Sequence, residues 1–133
     1  MKYKTEHTAI IENEFSNNTG STSTAKWARE NWFKNKRTNL IKFHELLPKS
    51  WLQRIYFFEL FLIIGDLDGN PQYGITDYFE MLKTRNCTTK TLSTFLNDRI
   101  ADGDLMLVQS LKKSRKTYRL SSELKKICED MAR

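Results

Sequence analysis

Residues 76–120 read TDYFEMLKTRNCTTKTLSTFLNDRIADGDLMLVQSLKKSRKTYRL, and this stretch decides the predicted fold. Its best-defined segment is a helix from Thr88 to Asp102. Thr88 suits the N-cap position, and Gly103 suits the left-handed residue that follows many helix ends. The apolar residues of this helix recur on one side at helical spacing. They are Leu92, Phe95, Leu96 and Ile100.

The flanking segments extend this helix into a longer pattern. A short helix precedes it, with Thr76 as the predicted N-cap, and a break at 85–87 separates the two. Two short strands joined by a polar, basic turn follow it. The predicted bounds are 76–84 for the first helix, 105–109 and 116–120 for the strands, and 111–115 for the turn. A helix-turn-helix followed by a two-stranded hairpin is the outline of a winged helix.

The rest of the chain is predicted to be helical apart from its start. Residues 15–24 (FSNNTGSTST) are polar and poor in packing groups, so we expect 1–24 to form a flexible N-terminal arm. With Thr24 as N-cap, a helix from Ala25 runs to about Leu47, where Pro48 breaks it. Its candidate buried residues are Trp27, Trp32, Leu40, Phe43 and Leu47.

Two further helices are predicted around the winged-helix segment. Ser50 caps a helix from Trp51 to about Asp66 that is apolar almost all round, which is typical of a helix buried between partners. Ser121 or Ser122 caps a last helix, whose apolar stripe is Leu124, Ile127, Cys128 and Met131. The expected fold is mainly α with a small two-stranded antiparallel β-wing. Residues 25–133 form one winged-helix DNA-binding domain (winged helix 75–120) with additional N- and C-terminal helices for dimerisation.

Composition narrows the class of protein. The 133 residues suit one domain, and the net charge of +6 suits a polyanionic partner. Positive charge is concentrated in two blocks, since residues 25–54 and 83–119 each sum to +6 whereas residues 55–82 sum to −5. Two cysteines without a CxxC pair do not indicate a zinc site. The longest apolar run, 55–64, is too short to span a membrane, and the expected location is the cytoplasm.

Double-stranded DNA is the expected partner. The second helix of a helix-turn-helix lies in the major groove and reads base edges from its N-terminal turns. The candidate base-contacting residues are Thr88, Thr89, Lys90, Ser93, Thr94 and Asn97. The hairpin places four cations within five residues, which suits contact with phosphates or the minor groove. These are Lys112, Lys113, Arg115 and Lys116.

Residues 88–122 resemble the MarR-type family of winged-helix transcriptional regulators. The matching features are the Thr/Ser-rich start of the second helix, its end at 96–103 (LNDRIADG), the following apolar strand, Arg115 in the wing and the closing Arg119-Leu120-Ser121. The family's wing carries an Asp two residues before its Arg, and Lys113 stands at that position here. The resemblance implies a homodimer with intertwined terminal helices that presents two such helices to a palindromic site, and it allows a small-molecule effector.

Several alternatives stay open at this stage. A winged helix also serves as a protein–protein adaptor without DNA binding, and the basic hairpin alone suits a solvated turn. The basic residues Lys34, Lys36, Arg37 and Lys42 suit either a second phosphate-contacting patch or a solvated helix face. Cys87, just before the second helix, suggests a redox switch or a small packing residue. The spacing Asp66-x-Asp68-x-Asn70 resembles the start of a calcium loop, but Pro71 and Asp77 break the motif. The sequence contains no Gly-rich phosphate loop, no GxSxG motif and no HExxH motif, and neither catalysis nor a cofactor is expected.

Overall fold

The computed structural model describes residues 22–132 of the chain. In this part it is mainly helical with one two-stranded antiparallel sheet, as predicted. It contains five α-helices and one 3₁₀ turn. The elements in chain order are α1 (Thr22–Leu46), the 3₁₀ turn (Lys49–Leu52), α2 (Ile55–Leu67), α3 (Ile75–Met81), α4 (Thr89–Ala101), β1 (Leu105–Val108), β2 (Thr117–Leu120) and α5 (Ser122–Ala132). Among the described residues, no helix combines the length and apolar composition that crossing a bilayer requires.

The chain divides into two compact units, residues 1–43 and residues 44–133. In the first unit the described element is α1, which is already helical at Thr22, so the prediction of Thr24 as its N-cap is wrong. The rest of the predicted arm, 1–21, lies outside the described residues. Two residues predicted to be buried are exposed in this chain, Trp27 by 67% and Leu40 by 66%. Trp32 and Phe43 are half-buried, and Leu47 is buried as predicted.

The second unit begins differently from the prediction. The predicted helix 51–66 is wrong at its start: Lys49–Leu52 form a 3₁₀ turn, Arg54 is extended, and α2 begins at Ile55. Ser50 is therefore not the cap of α2. The reason is tertiary, because the turn places Trp51 in the core, where its indole N–H donates to the carboxylate of Asp104 at 3.2 Å. This hydrogen bond joins residues 53 positions apart, so the sequence around Trp51 does not indicate it.

Aromatic rings of three elements form the centre of the second unit. Trp51 packs edge-on against Phe61 of α2, with centroids 5.5 Å apart, and against Phe95 of α4 at 5.1 Å. Phe57 of α2 stacks on Phe95 at 3.7 Å with nearly parallel planes. Aliphatic side chains of α2, α4, the sheet and α5 surround them. These are Leu60, Ile64, Leu92, Leu96, Leu105, Leu120 and Leu124. Burying one such side chain stabilises the folded protein by about 1.5–3 kcal/mol. This cluster therefore fixes α4 against α2.

The sheet follows α4 directly. Gly103 has φ +84°, a left-handed conformation that glycine adopts without strain, and it turns the chain from α4 into β1. β1 and β2 pair antiparallel from Leu105↔Leu120 to Val108↔Thr117, and residues 109–116 connect them as a hairpin. α4 packs against α3 and β1, and β2 packs against α2 and α5.

Helix α3 starts and ends earlier than predicted. Gly74, not Thr76, is its N-cap residue, and the carboxylate of Asp77 accepts the Gly74 N–H at 2.8 Å. The helix ends at Met81 instead of about Thr84, because Leu82 is extended. The predicted bounds of α4 agree with the structure to within one residue, and the strands agree to within one residue at each end.

Candidate nucleic-acid interface

Helix α4 is held at its start by its own N-cap. The Oγ1 atom of Thr88 accepts the N–H of Thr91 at 3.2 Å, which satisfies one of the unpaired donors of the first turn. The two threonine hydroxyls also lie 3.1 Å apart. Thr88 therefore has a capping role, and its hydroxyl is already engaged at the surface.

The outward face of α4 is polar and accessible. Thr89, Lys90, Thr94 and Asn97 are exposed, and Ser93 is half-buried. The opposite face is buried through Leu92, Phe95, Leu96 and Arg99. At about 100° per residue, Lys90, Thr94 and Asn97 lie on the side directly away from the core, and Ser93 lies on one flank. The predicted core face is confirmed for Leu92, Phe95 and Leu96, whereas Ile100 is half-buried and Arg99, which the sequence did not indicate, is buried.

A groove of about 470 Å³ lies between the start of α3, the hairpin and the flank of α4 that carries Ser93. Ser93 lines it from α4, and the start of α3 forms another wall. The remaining walls come from the hairpin. The lining residues are Gly74, Ile75, Thr76, Asp77, Ser93, Lys112, Ser114, Arg115 and Lys116. Three of the four predicted hairpin cations and one predicted α4 residue thus surround the same groove, while Lys113 is exposed outside it.

A second groove, of about 440 Å³, lies along the other flank of α4. It is lined by Gln53, Phe57, Lys90, Thr91, Thr94, Phe95 and Asp98. The outward side chains Lys90 and Thr94 therefore border open space on this flank also. Helix α4 consequently stands out from its surroundings along its outer side, instead of lying flush with the surface.

Arg115 differs from the other hairpin cations. Its side chain is half-buried, and its Nη1 donates to the carbonyl oxygen of Pro71 at 2.9 Å. Lys112, Lys113 and Lys116 are exposed. The sequence predicts Arg115 as a DNA-contacting residue of the wing. It does not indicate the bond to Pro71, because Pro71 lies 44 residues earlier in the chain.

The turn between α3 and α4 is fixed by a carboxylate from α2. Glu59 accepts the backbone N–H of Lys83 at 2.9 Å and of Thr84 at 2.8 Å, and also the Thr84 hydroxyl at 2.7 Å. Partial burial raises the pKa of Glu59, but these hydrogen bonds and the charge of Lys83 outweigh it, so the pKa lies below its usual value. Glu59 therefore sets the path of the chain into α4.

The other end of α4 is fixed by an ion-pair network. Arg99, which is 8% exposed, contacts the carboxylate of Asp102 at 3.0 Å and that of Asp104 at 3.4 Å. Its guanidinium also lies 5.1 Å from the centre of the Phe95 ring. Asp104 in turn accepts the indole N–H of Trp51. The turn before α4 and the C-terminal end of α4 are thus each bonded to other residues of the second unit. These bonds keep the polar face of α4 in a defined position.

Other candidate residues are accounted for by their surroundings. Burial raises the pKa of the Cys87 thiol by more than the Asn86 backbone and the charge of Arg85 lower it, so Cys87 lacks the lowered thiol pKa that a redox switch requires. In the former calcium-loop candidate, Asp68 pairs with Lys125 at 3.2 Å. Asn70 accepts the backbone N–H of Gln72 at 3.0 Å.

Two further surfaces bear on the open alternatives. Lys34, Lys36, Arg37 and Lys42 are all exposed on α1, so this basic patch is accessible. A groove of about 360 Å³ between α2 and α5 has an apolar floor that includes Phe61, Leu62 and Leu120. Its volume lies within the range of small-molecule sites, and charged residues of α2 and α5 border it, so an effector stays a prediction.

Sequence reasoning missed the residues that hold the hairpin in place. Thr76 and Ser114 line the main groove, and Pro71, Ser110 and Thr117 connect the hairpin to the loop before α3. The segment DLDGNPQYG (66–74) signals a loop by composition, but no local pattern indicates which element it contacts.

Comparison with known proteins adds no relative. No family model, no curated protein and no solved structure matches the chain. The resemblance of residues 88–122 to MarR-type regulators therefore stays a prediction drawn from the residues themselves.

Proposed function

We propose that the chain is a winged helix-turn-helix protein that binds double-stranded DNA sequence-specifically and regulates transcription. The observation that carries the proposal is the groove lined by the start of α3, the hairpin and Ser93 of α4, where Lys112, Arg115 and Lys116 lie beside one flank of that helix. In this assignment α3 and α4 are the helix-turn-helix, α4 is the recognition helix, and the β1–β2 hairpin is the wing.

The proposed mechanism divides the work between the two elements. The hairpin lysines neutralise backbone phosphates and release counterions, which supplies affinity and little sequence information. The outward residues of α4 reach base edges in the major groove, where Lys90 suits guanine acceptors and Asn97 suits adenine. Thr89, Ser93 and Thr94 add hydroxyl and methyl contacts. Thr88 contributes mainly through its cap, because its hydroxyl is already engaged.

The proposed assembly is a homodimer. Symmetric dimers place two recognition helices about one turn of DNA apart, so a palindromic site is expected. Exposed apolar side chains on α1 support a second copy as the partner of that helix.

A fluorescence anisotropy titration with a labelled random-sequence duplex tests the proposal. At low salt we expect binding by the unmodified protein, with an affinity that falls steeply as salt rises. Lys112→Gln removes one groove cation from each subunit, and it should reduce the slope of log K against log salt by about 0.9 per subunit, roughly 1.8 for a bound dimer. Lys126→Gln is the matched control, because it makes the same charge change on an exposed lysine of α5 that does not line the groove.

Absence of duplex binding at low salt would contradict the proposal and favour the adaptor alternative. Equal slopes for Lys112→Gln and Lys126→Gln would remove the hairpin from the interface. Where binding is found, selection of bound sequences from a random duplex pool should return a palindromic consensus, and Asn97→Ala should relax it at one position in each half-site.

A further inference from the structure

The hairpin is joined to the loop before α3 by a continuous set of polar contacts. The Pro71 carbonyl accepts both the Ser110 hydroxyl at 3.2 Å and Arg115 Nη1 at 2.9 Å. A carbonyl oxygen has two lone pairs, so both donors bind one atom without competing for a site. Ser110 and Arg115 lie at the two sides of the hairpin turn. One backbone oxygen therefore ties both sides to the same point.

The same connection continues along the loop towards α3. The Thr117 hydroxyl donates to the Tyr73 carbonyl at 2.6 Å, and the Ile75 N–H donates to the Lys116 carbonyl at 3.2 Å. Gly74 lies between them. A Cβ at this position would overlap Cγ of Arg115 and lie 2.9 Å from the Lys116 carbonyl oxygen. Glycine therefore allows the stem of Arg115 to lie directly on the loop backbone.

From these contacts we infer that Arg115 is a positioning residue and not a direct DNA contact: with Ser110 it anchors the hairpin to Pro71 and so places the lysines of the hairpin over the groove. This inference rests on the proposed function for its consequence in DNA binding. The anchor itself is a property of the free protein. The Arg115 guanidinium is already bonded to the partly buried Pro71 carbonyl, and the Arg115 methylene groups lie against Gly74. Arg115 therefore has less freedom to reach a phosphate than the exposed lysines have.

The anchor explains how a short hairpin can present a defined charge pattern. The two strands have four residues each, and an isolated two-stranded hairpin is marginally stable in water. Residues 109–116 lie beyond the paired strands. Without the anchor, Lys112 would sample many positions relative to α4, while the Lys116 backbone would keep only its bond to Ile75. With it, they stay beside Ser93 and the start of α3.

Hydrogen exchange of the unmodified protein and two variants tests the anchor without DNA. Arg115→Gln removes the charged donor, and Ser110→Ala removes the neutral donor to the same oxygen. We expect the Arg115 amide, which donates to the Lys112 carbonyl, to exchange about tenfold faster in Arg115→Gln and several-fold faster in Ser110→Ala, since each variant loses one bond to Pro71. Ser110 also accepts the Lys112 N–H at 3.3 Å, so the Lys112 amide is left out of this comparison. Lys113→Gln, at an exposed neighbour, should leave exchange unchanged. Unchanged exchange in both anchor variants would overturn the anchor, whatever the protein binds.

Titration with duplex DNA tests the positioning role. Ser110→Ala changes no charge. A smaller slope of log K against log salt in this variant therefore means that the lysines have left the phosphates. A weakened fold alone would not change that slope. Lys112→Gln should cost much less affinity in an Arg115→Gln background than in the unmodified protein, because the lysine is already displaced. Additive costs, with a slope loss of about 0.9 per subunit from Arg115→Gln alone, would make Arg115 an independent phosphate contact and overturn the inference.

The two proposals fail in different ways. Loss of all duplex binding in the unmodified protein contradicts the proposed function, while the exchange measurement still decides the anchor. Normal duplex binding with additive variants contradicts the positioning role alone.

Discussion

Tyr78 and Tyr118 are both fully buried, but their hydroxyl groups differ in hydrogen bonding. The Tyr78 hydroxyl accepts the N–H of Tyr118 at 3.1 Å and donates to the Tyr118 carbonyl at 3.4 Å. The Tyr78 hydroxyl thereby pairs with the backbone N–H and carbonyl of Tyr118 on the edge of β2 that faces away from β1, as a neighbouring strand would. The Tyr118 hydroxyl has no hydrogen-bond partner among the described residues.

This difference predicts unequal effects on stability for two chemically identical substitutions. Tyr78→Phe should lower the free energy of unfolding by about 1–3 kcal/mol, because it leaves the buried N–H of Tyr118 unpaired. Tyr118→Phe should be neutral or slightly stabilising, within about 0.5 kcal/mol, because the hydroxyl it removes makes no bond. Urea unfolding of the two variants beside the unmodified protein measures both values. A larger cost for Tyr118→Phe than for Tyr78→Phe would contradict this account of the β2 edge.

At the scale of elements, the sequence predicts what local signals determine. The ends of α4 follow from Thr88 and Gly103, whose capping roles depend only on neighbouring residues. Its core face follows from periodicity. The start of α2 and the environment of Arg115 do not follow, because Trp51 and Arg115 are placed by partners 53 and 44 residues away. The candidate site is therefore predictable in its exposed residues and not in the contacts that orient them.

Glu59 is a second case of an element placed by a distant residue. It lies on α2 and binds the backbone at 83–84, after the end of α3. Because its pKa is lowered in the folded protein, its stabilising contribution is complete above the unfolded value of about 4.5. The contribution is lost as the pH falls through the folded pKa. Stability should therefore decline below about pH 4.5 in part through this one carboxylate.

Glu59→Gln tests this dependence. The amide keeps one acceptor oxygen and loses the charge, so the free energy of unfolding at pH 7 should fall by about 1 kcal/mol, at the low end because the site is partly solvated. The difference from the unmodified protein should shrink as the pH approaches 3. Glu80→Gln, on the exposed surface of α3, should have no comparable effect. Urea unfolding from pH 7 to pH 3 measures both, and a difference that stays constant across this range would exclude the carboxylate charge as its source.

At the scale of the whole molecule, α1 is the element of residues 22–132 that carries most of the exposed large apolar side chains. Phe33, Leu40, Ile41 and Trp27 are between 42% and 67% exposed. At about 100° per residue they span an arc of about 140° along the helix, wide enough to pack against another helix. Apolar surface of this kind marks an association site, and a second copy is the proposed partner.

Leu40→Glu tests this proposed dimer face. A twofold dimer changes two copies of the residue together, so if both leucines are buried the substitution costs about 3 kcal/mol or more and raises the dimer Kd at least roughly 100-fold. Asn35→Glu, on the opposite side of α1, is the matched control and should leave the Kd within a few-fold of the unmodified value. Sedimentation velocity over a range of concentrations measures all three proteins. DNA binding adds a second criterion: loss of the dimer should weaken a palindromic site far more than a single half-site, because each monomer retains its own α4 and hairpin. Equal sedimentation of the Leu40 and Asn35 variants would move the dimer contact away from this face of α1.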